Sequence, residues 1–244
     1  MQELDHNSLL YWYPIVKDYF ETPETIVYKP KKDMMHWLGN GISPYQIKKI
    51  KALLKDDGIY FLRTDMASNK HNWKEACIVG RKYNIGPKIM DTLDFNYRFD
   101  LEPTALIFRE MLEANIAFRA FNDFPVAYEI RAFVSGGKLD CMHNYWAKEV
   151  FVKDKWAQRT IPKDWESKWD ALYRRNIANV QALYEMLIDR LPNIRLQGSW
   201  SMDFMYANRA DEPLKKQWFL IDMADARMSY HFDHKSDLLI EGKK

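Results

Sequence analysis

The feature that most restricts the fold is a crowd of short apolar runs between residues 105 and 145. Ala105 to Glu110, Ala117 to Phe121, Val126 to Val134 and Leu139 to Tyr145 read as four strands. Gly136-Gly137 sits between the last two, as a tight hairpin requires. Shorter strands are predicted at Thr25 to Lys29 and Ile59 to Arg63, and two more at Trp200 to Tyr206 and Gln217 to Asp222. Ile47, Ile50, Leu53 and Leu54 fall at helical spacing, which predicts a helix over 44–57 that Gly58 stops. The longest predicted helix runs from Asp164, a plausible N-cap, to Leu191, with Pro192 just beyond. Its apolar stripe is Trp169, Leu172, Val180, Tyr184 and Leu187. A helix followed by two strands argues α+β rather than a doubly wound parallel sheet.

The chain of 244 residues is 47% hydrophobic, enough for one large domain or two joined lobes. Its 36 Lys and Arg against 34 Asp and Glu leave a net charge of +2, which provides no strong field for nucleic acid or an anionic membrane. Aromatic residues make up 15% of the chain. They lie mostly inside the apolar periodic segments, so core packing is favoured over base stacking. Cys77 and Cys141 make neither a disulfide framework nor a Cys-x-x-Cys pair. The N-terminal segment is acidic where a signal peptide is basic, and no apolar run reaches the length of a membrane span. The expectation is a cytoplasmic protein with no membrane partner.

Four polar features interrupt the apolar pattern. Arg63 to His71 is a small, polar, basic loop after a strand. It suits phosphate, yet it is no Walker loop, and a solvated loop is the plain alternative. Arg109-Glu110 closes a strand, where simple exposure is the alternative. Glu129 and Arg131 share one face of a strand by alternation, and a salt bridge between them is the bland reading. Asp203 and Asp222 lie on successive apolar strands. Two such carboxylates suit Mg²⁺, with turn caps as the alternative, and Asp225 adds a third carboxylate.

The order of these features resembles the ATP-grasp superfamily. The likeness lies in FLRTDMASNKHNW, YEIRAFVSGGKL, SWSMDFMY and WFLIDMADA, and runs from about Trp12 to about Tyr230. It is most similar to the divergent branch of cell-division-cycle 123 proteins and small phage-encoded ATP-grasp proteins. The resemblance implies two α+β lobes gripping ATP between antiparallel sheets, with residues 1–112 forming the N-terminal region and small lobe and 113–244 the second. It implies that Arg63 and Lys70 hold the α- and β-phosphates, with Ser68 in the loop closing over them. Arg109 would belong to the nucleotide site, and Glu110, Met111 and Leu112 to the hinge that reads the adenine edge. Arg131 would meet the γ-phosphate and, with Lys70, act in catalysis. Asp203 and Asp222 would bind Mg²⁺. Ala224 stands where the family often has Asn, and Asp225 would compensate. The implied activity is activation of a carboxylate as an acyl phosphate for attack by an amine or similar nucleophile, a peptide or protein being one acceptor. An ATP-binding assembly factor without turnover is the alternative. A nucleic-acid-directed protein is a third class, which the charge disfavours.

Overall fold

The computed structural model describes residues 5–121, 123–153, 160–174, 177–231 and 238–241. They fall into two compact units. The small unit comprises Pro23–Met111 and Phe121–Phe124; the large unit comprises Met1–Thr22, Leu112–Ala120 and Pro125–Lys244. The expected division at residue 112 puts the first 22 residues with the small sheet, whereas the contacts place them with the large one. The Asp225 amide donates to Asn7 Oδ1 and the Leu220 amide to the Glu21 carbonyl, both at 2.8 Å. In this segment helix α1 (Leu9–Val16) buries Leu9, Trp12 and Val16.

The small unit is built on an antiparallel sheet ordered β1-β4-β2-β3. These strands are β1 (Thr25–Tyr28), β2 (Ile59–Thr64), β3 (Ile78–Gly80) and β4 (Leu106–Glu110). Alternation sends Tyr60, Leu62, Leu106 and Phe108 to one face. There they meet Trp37 of α2 (His36–Asn40), Ile50 of α3 (Pro44–Leu53), and Ile85, Ile89 and Leu93 of α4 (Ile85–Arg98). A capping box between Ser43 and Gln46 starts α3. The sequence reading misses α4, although Ile85, Ile89 and Leu93 recur every fourth residue, the period of a buried helical stripe.

The remaining strands are β5 (Glu113–Ala114), β6 (Ile116–Ala120), β7 (Phe124–Ala127), β8 (Glu129–Ser135), β9 (Lys138–Asn144), β10 (Ser199–Asn208), β11 (Gln217–Asp225) and β12 (Leu238–Glu241). The large unit's sheet runs β11-β10-β8-β9-β12, with β5 also on β10, while β6 and β7 pair separately. The single strand expected over Val126 to Val134 is thus two strands, because the chain changes partners at Tyr128. Gly136 and Gly137 have φ of +55° and +75°, the hairpin geometry that glycine permits between β8 and β9. One face buries Ile130, Ala132, Met142, Met202, Phe204 and Leu220. Helix α5 spans Lys148–Lys153. The long expected helix is described as α6 (Trp165–Arg174) and α7 (Ile177–Arg190), with residues 175 and 176 outside the described residues. Val180, Leu183 and Leu187 bury the inner stripe of α7. The architecture is α+β with antiparallel sheets, as expected. Among the described residues no helix is long and apolar enough to cross a membrane.

Candidate functional site

Directly opposed residues of antiparallel strands share a face. In the large sheet this rule lines up one polar row: Asp222 on β11 opposes Asp203 on β10, Asp203 opposes Arg131 on β8, and Arg131 opposes His143 on β9. Arg131 grips Asp203 with both ends of its fork, Nε to Oδ1 at 2.7 Å and Nη2 to Oδ2 at 2.8 Å. The two side chains are only 13% and 8% exposed, so this pair is largely desolvated. The Arg131 guanidinium lies 4.6 Å from the Tyr145 ring centroid, and its Nη1 donates to the Tyr230 carbonyl at 3.3 Å. Burial works against its charge, but the Asp203 carboxylate outweighs burial, helped by Tyr145 and Asp222, and the guanidinium pKa is raised.

The partner of Arg131 is therefore Asp203, not Glu129. Glu129 is buried and accepts instead from Trp146 Nε1 at 3.0 Å, while its backbone carbonyl accepts from the Tyr145 amide at 3.1 Å. Residues two apart on one strand share a face, yet the residue directly opposite on the neighbouring strand stands closer. A bulge shifts the β10–β11 register between Asp203, which opposes Asp222, and Phe204, which opposes Leu220.

Asp225 does not join the row. It stands opposite Trp200, an odd number of residues from Asp222, so the pleat turns it to the other face. Its carboxylate takes Arg227 Nε at 3.0 Å and Nη2 at 2.6 Å, and these bonds hold its pKa down at about 2. Among the described residues no group of three or more His, Cys, Asp or Glu is arranged to hold a metal. Asp203 and Asp222 alone remain side by side. As a hard-oxygen pair they fit Mg²⁺, which commonly takes one or two carboxylates and completes its shell with phosphate and water oxygens. With Asp203 engaged by Arg131, a cation there would use that carboxylate's remaining lone pairs.

In the small unit, Phe61, Arg63, Ile107 and Arg109 occupy the sheet face opposite the core. Both arginines are buried, at 4% and 3% exposure. The Phe61 ring is 5.6 Å from Trp73, which packs on Phe124 at 5.0 Å. Two buried cations on the same sheet face as this aromatic cluster fit a nucleoside polyphosphate in chemistry.

The loop after β2 is built, not merely solvated. Thr64 Oγ1 accepts from the Met66 and Ala67 amides at 3.1 and 3.0 Å, and lies 2.8 Å from Asn96 Oδ1. Asp65 accepts from the Thr104 and Ala105 amides at 2.9 and 3.0 Å. Asp91 of α4 collects Asn69 Nδ2 and Asn72 Nδ2 at 2.8 and 3.1 Å. Ser68 and Lys70, both half-buried, sit inside this frame; the His71 side chain lies outside the described residues. Arg63 Nε donates to the Thr64 carbonyl at 3.0 Å.

At the expected hinge, the Glu110 amide donates to the Glu24 carbonyl at 2.8 Å and the Met111 amide to the Ile59 carbonyl at 3.2 Å. Glu110 Oε2 accepts the Glu24 amide at 3.0 Å. The amides of Glu110 and Met111 thus serve the small sheet, and Glu110 is still part of β4. Leu112 begins the next segment of the large unit.

No protein-family model matches the chain, and no curated protein matches it. Solved structures do. One is N5-carboxyaminoimidazole synthetase from Staphylococcus aureus with ADP, at 9% identity and TM-score 0.43 over 89% of this chain and 44% of that one. A RimK-domain ATP-grasp protein from Sphaerobacter thermophilus gives 12% identity and TM-score 0.39 over 90% and 58%. The ATP-grasp ligase PsnB with a minimal precursor gives 11% and 0.41 over 90% and 52%. Two of the three are called ATP-grasp proteins by name. The chain spans about half the length of the structures it matches. At these identities and TM-scores, the functional reading rests on this chain's own residues.

Proposed function

We propose that this chain is an ATP-dependent ligase of the ATP-grasp type, which activates a carboxylate for attack by an amine or similar nucleophile. The observation that carries the reading is the row Asp222, Asp203, Arg131 on the polar face of the large sheet. It sets two hard-oxygen ligands beside a cation held charged in a nearly dry site. Arg63, Arg109 and Lys70 of the small unit are the cations for the remaining phosphate charge, with Ser68 in the loop beside them. The backbone of Glu110, Met111 and Leu112 is the segment assigned to the adenine edge.

Phosphoryl transfer asks the protein for positioning and charge neutralisation rather than covalent chemistry. The substrate carboxylate oxygen attacks the γ-phosphorus, ADP leaves, and an acyl phosphate forms. An amine nitrogen then attacks the acyl carbon and inorganic phosphate leaves. Arg131 orients the transferred phosphoryl group, and Asp203 fixes the plane of that guanidinium. Bound Mg²⁺ would supply charge neutralisation at the phosphate oxygens. A peptide or protein is among the acceptors this chemistry suits.

A second reading is an ATP-binding assembly factor without turnover. Two observations favour it: both Asp203 oxygens are engaged by Arg131, and Ala224 stands two residues after Asp222, where a further oxygen ligand would help. Incubation with MgATP and a cell lysate, followed by mass spectrometry for a new mass increment, separates the two. Acceptor-dependent ADP release marks the ligase. ATP-dependent partner binding with no ADP release marks the assembly factor. A melting temperature unmoved by MgATP defeats both.

A further inference from the structure

The large sheet has consecutive strands at its opposite edges: β11 ends one side and β12 the other. The described residues that follow β11 lie on the polar face of this sheet. Ser229 Oγ lies 2.5 Å from Ser201 Oγ on β10, and the Tyr230 carbonyl accepts from Arg131 Nη1 on β8 at 3.3 Å. The His231 ring lies 4.0 Å from the Phe133 ring on β8, tilted against it, and stacks on His143 of β9 at 5.5 Å. Its Nε2 is 3.3 Å from Cys141 Sγ, also on β9. Three successive residues thus reach three neighbouring strands, which stand about 5 Å apart.

The middle contact is chemically different from the other two. Asp203 uses Nε and Nη2 of Arg131, and Tyr230 supplies an oxygen to Nη1. Of the three N–H groups that Asp203 leaves, two are on Nη1, so an anionic oxygen approaching the same guanidinium meets the Tyr230 carbonyl there. Hydrogen bonds with both partners charged are roughly twice as strong as neutral ones, so a phosphate oxygen outcompetes a backbone carbonyl for an arginine N–H. The serine pair and the histidine contacts anchor the segment on either side without using Arg131.

We propose that Ser229–His231 is a displaceable strap that competes with a polyphosphate for Arg131, resting on the reading of Arg131 as a phosphate-binding group. Its closed form seats the Tyr230 carbonyl on Nη1 and the His231 ring over Cys141. Its open form yields Nη1 to the anion and uncovers the thiol. A binding-competent form populated about one part in ten weakens apparent affinity about tenfold, and removing the anchors restores it.

Cys141 is the reporter, because it is buried and in contact with His231. The rate of its alkylation by N-ethylmaleimide, followed at peptide level in the unmutated protein, should rise about tenfold with magnesium tripolyphosphate. The double variant Ser229→Ala, His231→Ala should bind tripolyphosphate and MgATP about tenfold more tightly than the unmutated chain. Unchanged Cys141 labelling while MgATP raises the melting temperature overturns the strap and leaves the ATP reading standing. Affinities equal in the variant and the unmutated chain overturn it as well. Tripolyphosphate that uncovers Cys141, with MgATP neither bound nor hydrolysed, supports the strap and removes the ATP reading. If neither anion binds either protein, both fall.

Discussion

At the scale of single residues, Arg131 and Asp203 hold each other's charge where water scarcely reaches, so neither can be replaced alone without cost. Removing one partner of a buried pair typically costs about 3–5 kcal/mol, because the other charge is stranded. Asp203→Asn should therefore lower urea stability by about 3 kcal/mol. Arg131→Met combined with Asp203→Leu should cost less than Asp203→Asn alone. Equal costs would mean that the pair is better solvated than its geometry indicates. Arg131→Lys keeps charge but loses the planar fork, so it should bind ATP within about tenfold of the unmutated chain while turnover falls about a hundredfold. Because the same change also weakens the Asp203 contact, the rate must be taken per folded molecule. An unaltered rate on that basis takes Arg131 off the catalytic list. Asp225 presents a pH test. Arg227 lowers its folded pKa from the ordinary 3.8 to about 2, so the unfolded chain binds more protons in that interval. The stabilisation is complete above 3.8 and is lost as pH falls through about 2. The urea midpoint gap between the unmutated chain and Arg227→Gln should stay constant from neutral pH down to about 4 and close near pH 2.

At the scale of elements, the loop between β2 and β3 is held by a hydroxyl that no apolar side chain can replace. Thr64 is fully buried, and Thr64→Val would leave the Met66 and Ala67 amides and Asn96 Oδ1 short of a partner. Stranded polar groups cost about 1–3 kcal/mol each, so the variant should lose at least about 2 kcal/mol in urea. Its MgATP-induced melting shift should shrink with it, as Ser68 and Lys70 lose their frame. A folded variant with the full shift would show that this loop does not position the nucleotide. Most strands were legible because alternation and β-branched content are local properties, and the Gly136-Gly137 turn was legible because glycine adopts both positive φ angles without strain. Ile85, Ile89 and Leu93 carried an equally local signal for α4. The partner of Arg131 was not legible: Asp203 lies 72 residues away, and strand order is decided by packing rather than by any window of sequence. Nor was the end of β11. Had its extension to Asp225 been known, the odd spacing from Asp222 would have excluded Asp225 from the row.

At the scale of the whole molecule, each unit presents one sheet face to a buried core and carries the ionic residues of the proposed site on the other. Arg63 and Arg109 do so in the small unit, and Arg131, Asp203 and Asp222 in the large one. The proposed function assigns a role in nucleotide binding to each set, and that assignment is measurable. A ligand present at a hundred times its dissociation constant stabilises the folded chain by about 2.7 kcal/mol, and each tenfold loss of affinity removes about 1.4 kcal/mol of this. Arg63→Met should therefore roughly halve the stabilisation by MgATP if it weakens binding tenfold, and Asp222→Asn should do the same from the other unit. The two variants should nevertheless differ in kind. Arg63→Met removes a phosphate cation and should leave the dependence on Mg²⁺ intact. Asp222→Asn removes a hard-oxygen ligand and should make the remaining ATP-induced shift insensitive to Mg²⁺. If variants in one unit leave the shift untouched, nucleotide binding belongs to the other unit alone, and the ligase reading loses the half of its charge neutralisation that the silent unit was to provide.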